Sequence, residues 1–273
     1  MDFPAATIGG PFNVNARAWV YSAMSFQVKI LRYDSVSSTN TEAARHAQQG
    51  AAEGLSIIAG EQTAGRGRLQ RQWASPAGAG LYFSMILRPL LDLSFWSLIP
   101  LLAALAVHEA LVESCSLKTD IKWPNDILAH GRKLCGILTE TIETPTGRAV
   151  IVGIGINLRS DVFPGDLRAV AIALDEATGT TIVEETVLQS LVKSLTNRYE
   201  MFQTAGGPEG INRDWVNHST YANGKRVLVT SLEETFSGIT RGLESDGALR
   251  VETDAGEIRI VRAADVTSVR PGG

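Results

Sequence analysis

Apolar and polar positions change their period several times along this chain of 273 residues. From Phe26 to Tyr33 they alternate, which predicts a strand. The Ala-rich stretch from Glu42 to Gln48 follows Ser38-Thr39-Asn40, reads as a helix capped by Thr39 or Asn40, and stops at Gly50. Leu55 to Ala59 and Gly80 to Leu87 are strand-like, and a long apolar helix is expected over Phe95 to Val112. Asp120 to Trp123 is a short strand stopped by Pro124. Asp126 to Ala129 and Lys133 to Thr141 flank a sharp turn at Gly131, and Ala149 to Ile154 reads as a buried strand. Helical patterns are expected over Leu167 to Thr178 and Glu184 to Phe202.

Beyond Asn217 to Asn223 the pattern shortens. Five short strands are expected: Lys225 to Thr230, Thr235 to Leu243, Ala248 to Glu252, Glu257 to Val261 and Val266 to Val269. Ser245-Asp246-Gly247 and Asp254-Ala255-Gly256 supply turns between them. This predicts a small, partly closed β domain. Met1 to Ala23 shows no clear period and is expected to be a loose extension.

Composition narrows the class. Hydrophobic residues make up 44% and charged residues 20%, as in an ordinary globular enzyme. The formal net charge of −4 argues against non-specific nucleic-acid binding, so any anion must meet a local basic cluster. Two cysteines, Cys115 and Cys135, without a signal peptide point to free thiols and to a cytoplasmic location. The apolar stretch carries Pro100, His108 and Glu109, which favours a buried helix over a membrane span.

Four clusters could carry chemistry. Gly65-Arg66-Gly67-Arg68, with Arg71 behind it, is either a local anion trap or a solvated basic loop. Lys122-Trp123-Pro124-Asn125-Asp126 is either a site at a strand end or a capped turn. Lys133 opens an apolar strand with Gly136 leaving room beside it. The lysine either snorkels to solvent or aims a charge at a reacting phosphate. Gly153-Ile154-Gly155-Ile156-Asn157 lacks the spacing of a dinucleotide fingerprint.

Taken in order, Ser38-Thr39-Asn40, Gln62 with the Gly-Arg-Gly-Arg loop, Lys122 to Asp126, Lys133 to Leu138 and Gly153 to Asn157 resemble the biotin protein ligases. The resemblance runs from about Tyr33 to Arg270. It implies an α+β fold: a mixed sheet with packed helices and a small C-terminal SH3-like β-barrel. The implied organisation is an extension over 1–25, a biotin/lipoate ligase-like catalytic domain over 26–219 and the β domain over 220–273. It also implies that biotin is activated by ATP as an acyl-adenylate and passed to a lysine of a biotin carboxyl carrier protein, with Mg²⁺ accompanying ATP.

By the same resemblance Lys133 and Arg68 are catalytic. Ser38, Thr39, Asn40, Gln62, Gly65, Arg66, Trp123, Lys133 and Gly136 line the biotin pocket. Arg68, Arg71, Lys122, Asn125, Asp126, Asn157 and Arg270 meet the nucleotide, and Asp126 is the metal candidate. Gln70 stands where many relatives have glycine, which would strain the loop if a positive φ is needed there. Too few residues precede Tyr33 for a helix-turn-helix, so the ligase-only form is expected, with no DNA partner and no membrane. The family includes monomers as well as homodimers. A lipoate-type ligase on the same fold and a non-catalytic biotin-sensing regulator are the alternatives.

Overall fold

The computed structural model describes residues 19–22, 27–162, 167–231, 234–262 and 264–268. Eight strands form the large sheet. They are β1 (Trp19–Ser22), β2 (Gln27–Val36), β3 (Leu55–Gln62), β4 (Gly80–Leu87), β5 (Asp120–Lys122), β6 (Asp126–Ala129), β7 (Arg132–Thr144) and β8 (Gly147–Asn157). Their spatial order is β1-β2-β3-β4-β8-β7-β6-β5. The β2–β3 pair is parallel, bridged by the crossover helix α1 (Thr39–Gln48), and the other neighbours are antiparallel. The sheet is therefore mixed. Part of the expected extension is ordered: Trp19–Ser22 adds an edge strand beside β2.

β4 shows how the sheet divides its two faces, since successive side chains of a strand point oppositely. Leu81, Phe83, Met85 and Leu87 enter the main core. Ile86 faces α1 in a smaller cluster with Ala43, Ala47, Ile57 and Ile151. Helix α2 (Ile99–Cys115) lies in the main core, as its apolar sequence requires. Together with the helical turn before it, over Leu93–Cys115, it is long and apolar enough to cross a membrane by composition, yet most of that stretch is buried, with α2 packed against β7, α4 (Glu184–Phe202) and α5 (Gly207–His218). Both cysteines are free, and Cys135 is buried.

One helical expectation needs correction, and one helix is additional. Only Leu174–Thr178, helix α3, is helical within Leu167 to Thr178. The preceding residues run beside β7 instead, where Lys133 N–H donates to the Val170 carbonyl and Ile172 N–H to the Lys133 carbonyl. Helix α5 has no counterpart among the expected elements, and its start carries Gly206, Gly207, Pro208 and Gly210. Gly206 takes a positive φ of 78° just before the helix, and Pro208 sits in its first turn, where no N–H partner is needed.

The C-terminal strands β9 (Asn223–Thr230), β10 (Thr235–Leu243), β11 (Leu249–Thr253), β12 (Ile258–Val261) and β13 (Asp265–Ser268) form one antiparallel sheet, ordered β12-β11-β10-β9-β13. Its inward residues, including Val227, Val229, Leu249 and Val251, join the main core. The small domain is thus packed against the large one, and it brings Ala264 and Asp265 to the edge of the basic loop.

Candidate active site

The site lies on the α1 face of the sheet. At the β2–α1 junction Ser38, Thr39 and Asn40 are all buried. Ser38 precedes the helix in extended conformation, but its hydroxyl makes no capping bond. The Thr39 N–H is satisfied from outside the helix by Gln62 Oε1 at 2.8 Å. The helix thus starts from Ser38 and neither Thr39 nor Asn40 is the cap; Ser38 lines the cavity.

A polar chain underlies this pocket. Asn40 Nδ2 donates to Glu140 at 2.8 Å, and Ser84 Oγ lies 2.6 Å from Asn40 Oδ1 and 2.7 Å from Thr39 Oγ1. Thr39 Oγ1 lies 3.1 Å from Gln62 Oε1, Gln62 Nε2 donates to Ser75 at 2.8 Å, and Ser75 Oγ donates to the Trp73 carbonyl at 3.1 Å. Buried polar groups need such partners, and here each one fixes the next.

Three glycines allow close approach. A Cβ on Gly153 would sit 2.0 Å from Asn40 Oδ1. One on Gly136 or Gly155 would meet the Trp73 indole at 2.8 or 2.6 Å. The indole thus packs against these two glycines, in the room that Gly136 leaves beside Lys133. Its buried Nε1 has no hydrogen-bond partner.

The basic loop folds back on itself. Trp73 N–H donates to the Gly65 carbonyl at 3.0 Å, and Gly67 N–H to the Arg71 carbonyl at 2.7 Å. Gly65 has no room for a side chain, since a Cβ would lie 2.3 Å from the Trp73 carbonyl. At the loop tip Leu69 and Gln70 have φ of 53° and 60°, so the position where a glycine was missed is indeed left-handed.

The arginines of the loop have protein partners. Arg66 makes a two-pronged pair with Glu140 at 2.8 and 2.6 Å, and Arg71 pairs with Asp265. Arg68 Nη1 reaches the Ala264 carbonyl at 3.4 Å and Asn125 Oδ1 at 3.5 Å. Burial lowers the pKa of Arg68, against the pull of nearby Asp126.

Lys133 Nζ lies 2.7 Å from Asp126 Oδ1 and 5.3 Å from the centre of the Trp73 ring. Lys122 holds the other oxygen of Asp126 at 3.3 Å. Asn125 Nδ2 donates to the Ile137 carbonyl at 2.6 Å, fixing the turn that presents Asp126. Asn157 is buried and donates to the Ile172 and Lys133 carbonyls, so it holds the backbone from which Lys133 projects.

Two cavities adjoin here. One is lined by Ser38, Thr39, Asn40, Gln62, Gly136 and Leu138 among others. The other contains Tyr82, Lys122, Asn157 and Tyr221. Arg71, Gln72, Trp73, Asp126 and Lys133 border both.

Trp123 departs from its expected place. It is buried on the core side, where its indole donates to the Gly247 carbonyl at 3.0 Å, and it does not line the first cavity. Arg270 lies outside the described residues. Among the described residues no three His, Cys, Asp or Glu side chains stand together to hold a metal. Asp126 has one oxygen on Lys133 and the other on Lys122, so it would take Mg²⁺ only in exchange for one of these lysines, with the ion bound chiefly through substrate phosphates and water.

Sequence reasoning missed Trp73, Glu140, Ser84, Ser75 and Asp265. Glu140 could have been found from the period of two, since Gly136, Leu138 and Glu140 share one face of β7. Trp73 left only the weaker signal of an aromatic two residues beyond Arg71.

The two cavities thus share two cations, Arg71 and Lys133, on their common border. Residues 33–157 match the biotin/lipoate A/B protein ligase family, and residues 223–267 match the biotin protein ligase C-terminal domain. The bifunctional ligase/repressor BirA of Bacillus spizizenii is 38% identical over 240 residues, covering 87% of this chain and 73% of that protein. The biotin–[acetyl-CoA-carboxylase] ligase of Paracoccus denitrificans is 33% identical, with 84% and 96% covered. The structure of the Aquifex aeolicus biotin protein ligase in complex with biotin and ATP superposes with a TM-score of 0.76, at 29% identity, covering 88% of this chain and 98% of that one. The chain belongs to the biotin protein ligase family.

Proposed function

We propose that this protein activates biotin with ATP and transfers it to a lysine of a biotin carboxyl carrier protein. The observation that carries this reading is the pair of adjoining cavities with Lys133 on their common border. In the first step a biotin carboxylate oxygen bonds to the α-phosphorus of ATP, and the bond to the β-phosphate oxygen breaks, releasing pyrophosphate. Both reactants are anions, so cations must stand where they meet. Lys133 is placed to stabilise charge building on the α-phosphate, while Arg68 and its loop cover the product. In the second step the acceptor amine attacks the acyl carbon and loses a proton, the acyl–phosphate bond breaks and AMP leaves. Shielding the mixed anhydride from water preserves it between the steps.

Ser38, Thr39, Asn40 and Gln62 supply hydrogen-bonding groups around the first cavity, suited to the polar head of biotin. Mg²⁺ would screen the phosphates of ATP, with Asp126 as its protein ligand. The repressor activity in the name of the Bacillus relative is not carried over: the chain's net charge of −4 favours a ligase without operator DNA. A cytoplasmic location suits the two free thiols.

The test is to incubate purified protein with biotin, Mg-ATP and a biotin carboxyl carrier domain, and to follow the acceptor's mass. A gain of one biotinyl group is expected. Lipoate in place of biotin should leave the acceptor unchanged; modification by lipoate alone would overturn the proposal.

A further inference from the structure

We infer that Glu140 is a positioning residue for biotin, joining the basic loop to the floor of the acid-binding cavity. The inference rests on the reading of that cavity as the biotin site.

An exposed salt bridge by itself would say little, because such pairs contribute weakly. The carboxylate of Glu140 does more than that. It takes two parallel hydrogen bonds from Arg66, at 2.8 and 2.6 Å, a geometry that fixes direction as well as distance. One of the same oxygens accepts from Asn40 Nδ2 at 2.8 Å. Glu140 lies on the cavity face of β7, two residues beyond Leu138. It therefore connects the loop that covers the cavity with the buried helix start that lines it.

The second observation is directional. Asn40 Oδ1 receives Ser84 Oγ at 2.6 Å, and its Nδ2 serves both Glu140 and the Leu138 carbonyl. Turning the amide over would set its oxygen against a carboxylate and a carbonyl. Glu140 thus dictates which end of Asn40 faces which neighbour. That order extends to Ser84, whose single hydroxyl proton goes to Asn40 Oδ1, leaving its oxygen to accept from the Thr39 hydroxyl 2.7 Å away; the Thr39 N–H in turn holds Gln62 Oε1, and Gln62 Nε2 holds Ser75. Ser75 in turn donates to the carbonyl of Trp73, at the far end of the basic loop. Both ends of the loop are tied to one polar chain, and Glu140 is the one formal charge within it. Loss of that charge would disturb Arg66 and Asn40 together and leave the second cavity, with Lys122 and Asn157, in place.

The decisive variant is Glu140→Gln, which keeps shape and removes charge. Biotin affinity is measured by calorimetry without ATP, and KM for biotin and for ATP by pyrophosphate exchange. The expected result is a rise of about tenfold in the biotin Kd and biotin KM, as for loss of a charged hydrogen bond. KM for ATP should stay within about twofold, and Glu140→Asp should recover part of the biotin affinity. Unchanged biotin affinity in Glu140→Gln would overturn the inference. So would a parallel rise of both KM values with a lowered Tm, which marks a merely structural role. Wild-type protein that fails to bind biotin would instead sink the site reading, and this inference with it.

Discussion

The indole N–H of Trp123 donates to the Gly247 carbonyl across the boundary between the two domains. Gly247 has a φ of 80°, and a Cβ there would lie 2.8 Å from Leu98 and 2.9 Å from Leu101. The tryptophan of the Lys122–Asp126 motif thus clamps the small domain to helix α2. Trp123→Phe should leave a buried carbonyl unpaired and cost about 1–3 kcal/mol. A lower Tm with little change in biotin KM is the expected outcome. A large rise in biotin KM at unchanged Tm would return Trp123 to the pocket wall.

Lys133 has the opposite profile. Its ammonium is partly exposed and bonded to Asp126, so little of the fold depends on it. Lys133→Ala should cut pyrophosphate exchange about 10²–10³-fold, the usual scale for one preorganised charge at a reacting centre. Tm should hold and biotin affinity should fall less. Exchange near the wild-type rate in a folded variant would remove Lys133 from the chemistry.

Much of the fold is written in the period of the chain. β4 was legible from Gly80 to Leu87 and α4 from Glu184 to Phe202, because each buries a continuous face. Leu167 to Ile172 misled, since a helical spacing of apolar residues served a chain running beside β7. No local signal distinguishes these uses; tertiary pairing decides. Likewise, Lys122 to Asp126 is one contiguous motif, yet the turn over residues 123–125 leaves Trp123 in the core and starts β6 with Asp126 at the site. Glu140 and Asp265 acquire their meaning only from the arginines that the fold brings to them from 74 and 194 positions away.

His108 on α2 faces His218 on α5, with ring centres 5.0 Å apart, and its Nδ1 lies 2.8 Å from Thr119 Oγ1. Burial, then the neighbouring His218, pulls its pKa below 6.5; Glu109 and Asp120 oppose this. The unfolded chain therefore takes up this proton first as pH falls. The sign follows: stability is full above the unfolded value and is lost as pH drops toward the folded one. Tm should decline as pH falls below about 6.5, the ordinary histidine value, and His108→Gln should flatten part of that slope. An identical slope in the variant would clear His108 of any part in it.

The basic loop closes at a backbone cost. Leu69 and Gln70 are consecutive residues with Cβ atoms in the left-handed region, and both side chains are exposed, so no packing offsets the penalty. Such a conformation costs about 1–2 kcal/mol per residue. The closed state depends instead on Arg66 with Glu140, Arg71 with Asp265 and the contacts of Arg68. Two variants then pull in opposite directions. Arg68→Gly removes a contact to the small domain and should let biotinyl-adenylate escape. Gln70→Gly relieves the strained position and should seal the loop more firmly, although glycine also gains freedom in the open state. Each protein is incubated with biotin, Mg-ATP and serum albumin, and stray labelling is read by biotin blot. The expected order of albumin labelling is Arg68→Gly above wild type and wild type above Gln70→Gly, at comparable adenylate formation. If Gln70→Gly labels albumin as heavily as wild type does, strain at the loop tip does not govern closure.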